Sequence, residues 1–424
     1  MDIFRTAETD LGLSREEIRA ALLESLEGRS LKKVLILPPD ISRFHSGAGF
    51  IANTYYHTLT ERGVHVDVMP ALGTHEPMTE AQFAAMYGDI PYSAMCKHHF
   101  KTEVVKLGEI SGEYMASISE GLWTEPLTVE VNRRLVSGEY DLILSVGQVV
   151  PHEVIGMSNH TKNIFVGAGG SDMINKSHMV GAVYGLERMM GFDKTPVRLA
   201  FDKAFNDFLA DKPITFVLTV TTAPQGETVY HGLFIGEGRR CYEAAVELAS
   251  VKNITHLPKR LQKCVAYMDP HEFHTTWIGN KSVYRTRMAM ADGGELIVLA
   301  PGVCRFGEND IQETLIRKYG YRGRIKTMES FQNPDNTDLR ENMGGAAHII
   351  HSSPDDRFTV TYAVRDISKE EVLSVGFGAA DYEEMAKRYD PKKLTYGYNT
   401  MPDGEEIYFI PNPALGLWIN REKF

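Results

Sequence analysis

Residues 142–171 read LILSVGQVVPHEVIGMSNHTKNIFVGAGGS. Asp141–Val146 carries a short apolar run behind one leading acid, as expected of a strand buried on both faces of a parallel sheet. A long loop rich in Gly, His and Asn follows it. The same grammar occurs twice upstream. Lys33–Pro38 (KVLILP) reads as a strand, and DISRFHSG as a loop leading into a helix from Ala48 to Arg62. Val64–Ala71 reads as a second strand, followed by GTHEPMT. Three polar loops, Asp40–Gly47, Gly73–Thr79 and Gly147–Gly170, therefore follow the ends of predicted parallel strands. Open α/β sheets place their ligands at that edge.

Working outward, Ser14 and Glu17 have capping-box spacing ahead of Ile18, Ala21, Leu22 and Leu26, which predicts an amphipathic helix. Ile214–Val220 and Glu227–Phe234 predict a hairpin across APQG, with a helix over Arg239–Val251. From Gln262 the pattern restarts: strand (CVAYM), helix near Lys281–Ala291, strand (ELIVLAP), helix (NDIQETLIRKYG) and, later, the strand FTVTYAVRD. The expected fold is α/β, with two α/β domains of mostly parallel sheets and an active-site cleft between them. The N-terminal domain spans 1–262 and the C-terminal domain 263–404, with a boundary near Lys259–Cys264. The tail 405–424 is a candidate completion of the N-terminal domain.

Composition narrows the class. The chain has 424 residues and a net charge of −11, and its hydrophobic and charged contents are ordinary for a globular protein. No apolar run approaches the ~20 residues of a membrane helix, and no secretory leader is visible. Cys96, Cys241, Cys264 and Cys304 are far apart, which suits a reducing compartment and no zinc-thiolate site. The expectation is a cytoplasmic enzyme with no nucleic-acid or membrane partner.

Most of the fifteen histidines need no special role. Context lifts three: His75 in GTHEPMT, His152 in the long loop, and His178 in NKSHMVGAVYG, where a helix is predicted to begin. Lys162 lies between the last two, ten residues after His152 and sixteen before His178. A lysine in such a loop is ordinarily solvated; ahead of GAGGS it can also be a phosphate contact or a covalent anchor. Asp40, Ser42 and Arg43 follow a strand end, where an acid and an arginine either shape a turn or orient a base and hold an anion. His98 and His99 beside Cys96 match no zinc motif. His271, His274, Cys304 and Arg305 are further candidates to line the interdomain cleft.

DISR after a strand, GTHEPMT, PH followed ten residues later by Lys, and His sixteen beyond it resemble the nickel-dependent lactate racemase family. The resemblance covers most of the chain. It implies a nickel-pincer nucleotide, a pyridinium mononucleotide whose two sulfur-bearing arms grip nickel, joined to Lys162 through a thioamide. His178 would be the protein's nickel ligand. His75 and His152 would be paired acid/base groups, with Asp40 and Arg43 at the catalytic centre. Ser158, Asn159, His160 and Gly167 would contact the cofactor. The implied reaction inverts carbon 2 of a 2-hydroxy acid by hydride transfer, which avoids a carbanion beside a carboxylate. Implied partners are a small 2-hydroxy acid and separate cofactor-maturation enzymes.

The sequence departs from that family at defined positions. Asn159 and His160 stand where the family has two glycines, and Phe44-His45 where proline is usual. Tyr284 matches a substrate-side tyrosine, but Met288 replaces the lysine that binds the substrate carboxylate. Lys281, Arg285 and Arg287 are candidates to take over that task, on helical spacing. Asn159, His160 and His45 offer hydrogen-bond partners that a methyl group cannot use, and leaving them buried and unpaired costs about 1–3 kcal/mol each. A sugar acid such as gluconate, epimerised at carbon 2, is the leading expectation. The alternatives are a racemase of lactate, malate or a similar acid, and a zinc- or iron-dependent hydrolase or lyase. A non-catalytic cofactor carrier is a further reading.

Overall fold

The computed structural model describes residues 2–223 and 226–420; the expected turn across Ala223–Gly226 lies partly outside them. The chain divides into two compact units, one of Met1–Val180 with Arg188–Asn253, the other of Gly181–Glu187 with Ile254–Phe424.

The first unit is built on strands β1 (Ile3–Thr6), β2 (Lys33–Leu37), β3 (His65–Val68), the hairpin β4 (Val104–Ile110) and β5 (Leu127–Asn132), β6 (Leu142–Gln148), the two-residue pair β7 (Pro151–His152) and β8 (Gly156–Met157), β9 (Ile214–Thr222) and β10 (Val229–Gly236). Its main sheet runs β1-β10-β9-β6-β2-β3. β3, β2, β6 and β9 are parallel, and β9, β10 and β1 close the sheet as antiparallel pairs. Every residue of β6 but the last is buried, as a strand covered on both faces requires. Ser14 and Glu17 form the expected capping box at the head of the helix Arg15–Glu24.

The long loop after β6 is more structured than its composition suggests. β7 and β8 pair as a tight ribbon, and Asn163–Gly167 forms one π-helical turn headed by Lys162. π turns are rare and concentrate at functional sites. The helix beyond it starts at Ser171, so His178 lies in mid-helix rather than at its beginning. The intervening glycines serve close packing: a Cβ on Gly169 would lie 1.8 Å from the Phe165 carbonyl oxygen. Gly169→Ala is therefore expected to cost about 3 kcal/mol, the upper range for overpacking. A denaturant midpoint equal to wild type would contradict that packing.

The second unit contains β11 (Ile254–Leu257), β12 (Leu261–Tyr267), β13 (Met290–Leu299), β14 (Thr359–Val364), β15 (Gly378–Asp381), β16 (Gly397–Thr400), β17 (Glu406–Ile410) and β18 (Leu417–Asn420). Its sheet runs β15-β14-β13-β12-β17-β16, parallel except for β16. Two expectations change here. β17 joins the second sheet and β18 pairs with β11, so residues 406–420 complete the second unit instead of the first. Because β11 goes with β18, the division falls after Asn253, earlier than Lys259–Cys264. The helix expected over Lys281–Ala291 ends at Thr286, because β13 already begins at Met290.

Candidate active site

Asp40 ends the turn that leaves β2 and caps the short helix Ile41–Ser46, accepting hydrogen bonds from the Ser42 amide and hydroxyl. Its other carboxylate oxygen accepts from His75 Nδ1 at 2.6 Å. Burial pushes the Asp40 carboxyl up, but the bond and charge of His75 and the two Ser42 donors outweigh it, so its pKa lies below the usual carboxylate value. An ionised Asp40 fixes the proton of a neutral His75 on Nδ1 and leaves Nε2 to accept another. The loop that carries His75 is tied to the π turn by a hydrogen bond from the Gly73 amide to Gly167 O.

His152 is buried at the end of β7 and holds the opposite tautomer. The Val154 amide donates to its Nδ1 at 3.1 Å. Burial, reinforced by the positive charges of Lys162, Arg43 and His178 and opposed by Glu153, keeps its pKa well below the ordinary imidazole value. A neutral ring whose Nδ1 accepts carries its proton on Nε2; this tautomer is assigned from its partner. In their neutral forms the two histidines therefore differ: His75 offers a lone pair on Nε2, and His152 an N–H.

Lys162 keeps part of its surface accessible, yet its ammonium makes no hydrogen bond or ion pair among the described residues. Desolvation, with the Arg43 charge next, lowers its pKa to about 8. Such an amine is far more nucleophilic near neutral pH than a surface lysine. The π turn is held to the strand ends by Asn163, whose Nδ2 donates to Leu37 O at 3.1 Å and to Ser145 Oγ at 3.0 Å. His178 donates from Nδ1 to Ile174 O at 2.6 Å, which leaves its Nε2 lone pair for a ligand. Burial, with the neighbouring Lys162 charge, holds its pKa below the ordinary value against the pull of that bond. Asp40, Arg43, His75, His152, Lys162 and His178 thus form one electrostatically linked group at the carboxyl ends of β2, β3 and β6.

The other expected ligand contacts sort differently. Ser158 Oγ donates to Gln148 O and accepts from the Val150 amide, so its capacity is used in pinning the loop to β6. His160 is turned inward against Phe216, with ring centroids 4.0 Å apart, and stacks on Tyr242. It does not face a ligand, because a backbone φ of 55° rotates it into the aromatic core. Asn159 packs its amide over Gly147 at the end of β6 and accepts the His160 amide with Oδ1. Gly167 is needed because a Cβ there would lie 2.7 Å from Ala71 Cβ. The Gly-rich run before Ser171 is a poor phosphate cradle: the Gly170 amide is bound to Glu130 O, and Asp172 opens the helix. His45 lies in the helix after Asp40 with Nδ1 buried and unbonded among the described residues.

In the second unit, Tyr284 and Arg285 are buried on the helix Lys281–Thr286, and Arg285 Nη1 donates to Gly416 O. Arg287 is excluded as the substituted carboxylate ligand. It pairs with Glu187 and Asp355, donates to Ser353 O, and is 2% exposed. Arg287→Leu is expected to destabilise by about 3–5 kcal/mol, because it leaves buried carboxylates unpaired. The lower end applies, since the two acids keep 29% and 30% side-chain exposure. A rise in substrate KM without loss of thermal stability would contradict this. His98 Nδ1 is bonded to Asn132 Nδ2, and among the described residues no three His, Cys, Asp or Glu side chains are placed to hold a metal ion together. No helix there is long and apolar enough to cross a membrane.

Comparison with known proteins adds three findings. Residues 14–189 match the lactate racemase N-terminal domain family. A crystal structure of a Thermotoga maritima protein superposes with a TM-score of 0.80 at 23% identity, over 97% of this chain and 99% of that one. The lactate racemase apoprotein of Thermoanaerobacterium thermosaccharolyticum superposes with a TM-score of 0.70 at 16% identity, over 98% and 91%. At these identities the superpositions speak for the fold. No curated protein sequence matches the chain significantly.

Proposed function

Since this chain belongs to the lactate racemase family through its N-terminal domain, residues 14–189, we propose that it is an isomerase, a racemase or epimerase that inverts carbon 2 of a 2-hydroxy acid. The observation that carries this reading is the pair of histidines in opposite tautomers beside an unpaired lysine of lowered pKa. The residues fit the family's nickel-pincer nucleotide. Lys162 offers a reactive amine for covalent attachment, and His178 Nε2 a lone pair for nickel. When bound, the group supplies an acceptor for the hydride of carbon 2.

The protein's own part is proton handling and orientation. His75 Nε2 takes the substrate hydroxyl proton, and Asp40 stabilises the imidazolium that forms. His152 Nε2–H faces the oxygen once the keto acid has turned, and returns a proton to complete inversion. Glu153, with Oε2 3.7 Å from His152 Nδ1, supports the charged form of that ring. Arg43, which makes no ion pair among the described residues, holds the substrate carboxylate.

A sugar acid such as gluconate remains the proposed substrate, supported now by His45, whose Nδ1 is buried and unbonded among the described residues, without Asn159 and His160. A panel of gluconate, lactate and malate, assayed with protein matured alongside the cofactor-building enzymes, tests it. Epimerisation of gluconate above the other two is expected; turnover of lactate or malate alone would overturn the sugar-acid assignment.

A further inference from the structure

Arg198 is fully buried on the helix Pro196–Phe208 and among the described residues forms no ion pair. An isolated buried charge is costly unless its hydrogen bonds are well made. Here Nη1 donates to Thr161 Oγ1 at 2.7 Å. Nη2 donates to Met157 O at 2.6 Å, Asn159 O at 3.1 Å and the Tyr242 hydroxyl at 2.7 Å. The guanidinium carbon also lies 4.2 Å from the centre of the Tyr242 ring. A carboxylate, Asp202, is reached through Thr161, which donates to it at 2.8 Å. Arg239 in turn holds Asp202 together with Asp193.

All the loop atoms that Arg198 holds belong to residues 157–161, immediately before Lys162. Two of those residues, Asn159 and His160, have φ of 62° and 55°. Left-handed backbone at a non-glycine residue costs about 1–3 kcal/mol and persists only where its surroundings over-determine it. The carbonyls of these same two residues accept from the Lys162 and Asn163 amides, at 3.2 and 2.9 Å, which starts the π turn.

We propose that Arg198 is the positioning residue for Lys162: it clamps the strained 157–161 loop so that Lys162 is presented at the head of the π turn. The role in cofactor attachment rests on the function proposed above, but the placement of Lys162 does not. Arg198 is among the charges that act on Lys162, after burial, Arg43 and Glu153. Arg43 and Asp40 act on the amine from the loop after β2, Glu153 from the turn between β7 and β8, and Arg198 from the helix Pro196–Phe208.

The test uses cofactor-free, full-length wild type, Arg198→Met and Arg198→Lys. One readout is hydrogen exchange of the peptide spanning 157–163. The other is competitive acetylation of Lys162 against pH, normalised to surface lysines by peptide mass mapping. Both variants are expected to raise loop exchange at least tenfold while peptides of β2 and β6 stay protected. Arg198→Met is also expected to shift the Lys162 labelling midpoint upward and cut its rate at pH 8 about threefold. A merely structural arginine would lower thermal stability without moving that midpoint. Unchanged loop exchange in both variants, or an unmoved midpoint in Arg198→Met, overturns the proposal. If the methionine variant does not fold, Arg198→Lys decides through loop exchange. Absence of racemase activity in loaded wild type would count against the proposed function and leave this result standing.

Discussion

Lys162→Ala is expected to leave a folded protein with activity reduced to background. The loss is on the order of 10⁴-fold or more, the scale on which removing a covalent catalytic group is felt. The physical basis is local. The amine has no partner in the described structure, its pKa is lowered to about 8 by burial, and it heads a π turn tied to β2 and β6 through Asn163. Nothing in the fold depends on the ammonium, so the melting temperature is expected to stay within a few degrees of wild type. Lys162→Arg keeps the charge but not a nucleophilic amine, and is expected to be equally inactive. Full activity in either variant, assayed after co-expression with the maturation enzymes, would remove the covalent anchor from the account.

The second large effect is expected at the Asp40–His75 pair. His75→Ala should lower kcat by about 10²–10⁴-fold, the range for a positioned acid/base group. Asp40→Asn should approach that loss, since an amide neither fixes Nδ1–H nor stabilises the imidazolium. His152→Ala is expected to be as severe for kcat, because inversion needs a proton partner on each face. The pair also predicts a pH dependence of stability. Asp40 has a folded pKa below its unfolded value, so its contribution is present above the unfolded value and lost as the pH falls through the folded one. The melting-temperature gap between wild type and Asp40→Asn should therefore narrow below the ordinary carboxylate range. A gap that widens toward acid would show that Asp40 is not held ionised by His75.

How far the site was legible follows from where its residues sit. Lys162, His152, His75 and Asp40 stand in loops directly after apolar runs, and a strand end of a parallel sheet tells the reader where such loops gather. His160 and Ser158 were legible as loop residues but not by direction. A left-handed φ at Asn159 and His160 turns one ring into the core, and no side-chain pattern announces that in the sequence. Helical spacing made Arg287 a candidate for the substrate carboxylate; its acidic partners Glu187 and Asp355 are 100 and 68 residues away in sequence. Arg198 does leave a trace in the sequence. In PVRLAFDKAF it stands three residues before the buried Phe201, at the edge of the apolar stripe of Val197, Phe201 and Ala204. A charge on an apolar stripe signals a buried partner network. The placing of the tail changed because parallel strands pair across long sequence separations: β17 joins β12, and β18 joins β11, from well over a hundred residues away.

The central claim is that Lys162 carries a nickel-bearing mononucleotide. Intact-mass spectrometry with peptide mapping and metal analysis, on protein co-expressed with the cofactor-building enzymes, tests it most directly. The account predicts a mononucleotide-sized addition on the peptide containing Lys162, with nickel close to one per chain and both absent in Lys162→Ala. An unmodified Lys162 in protein made beside competent maturation enzymes would contradict it.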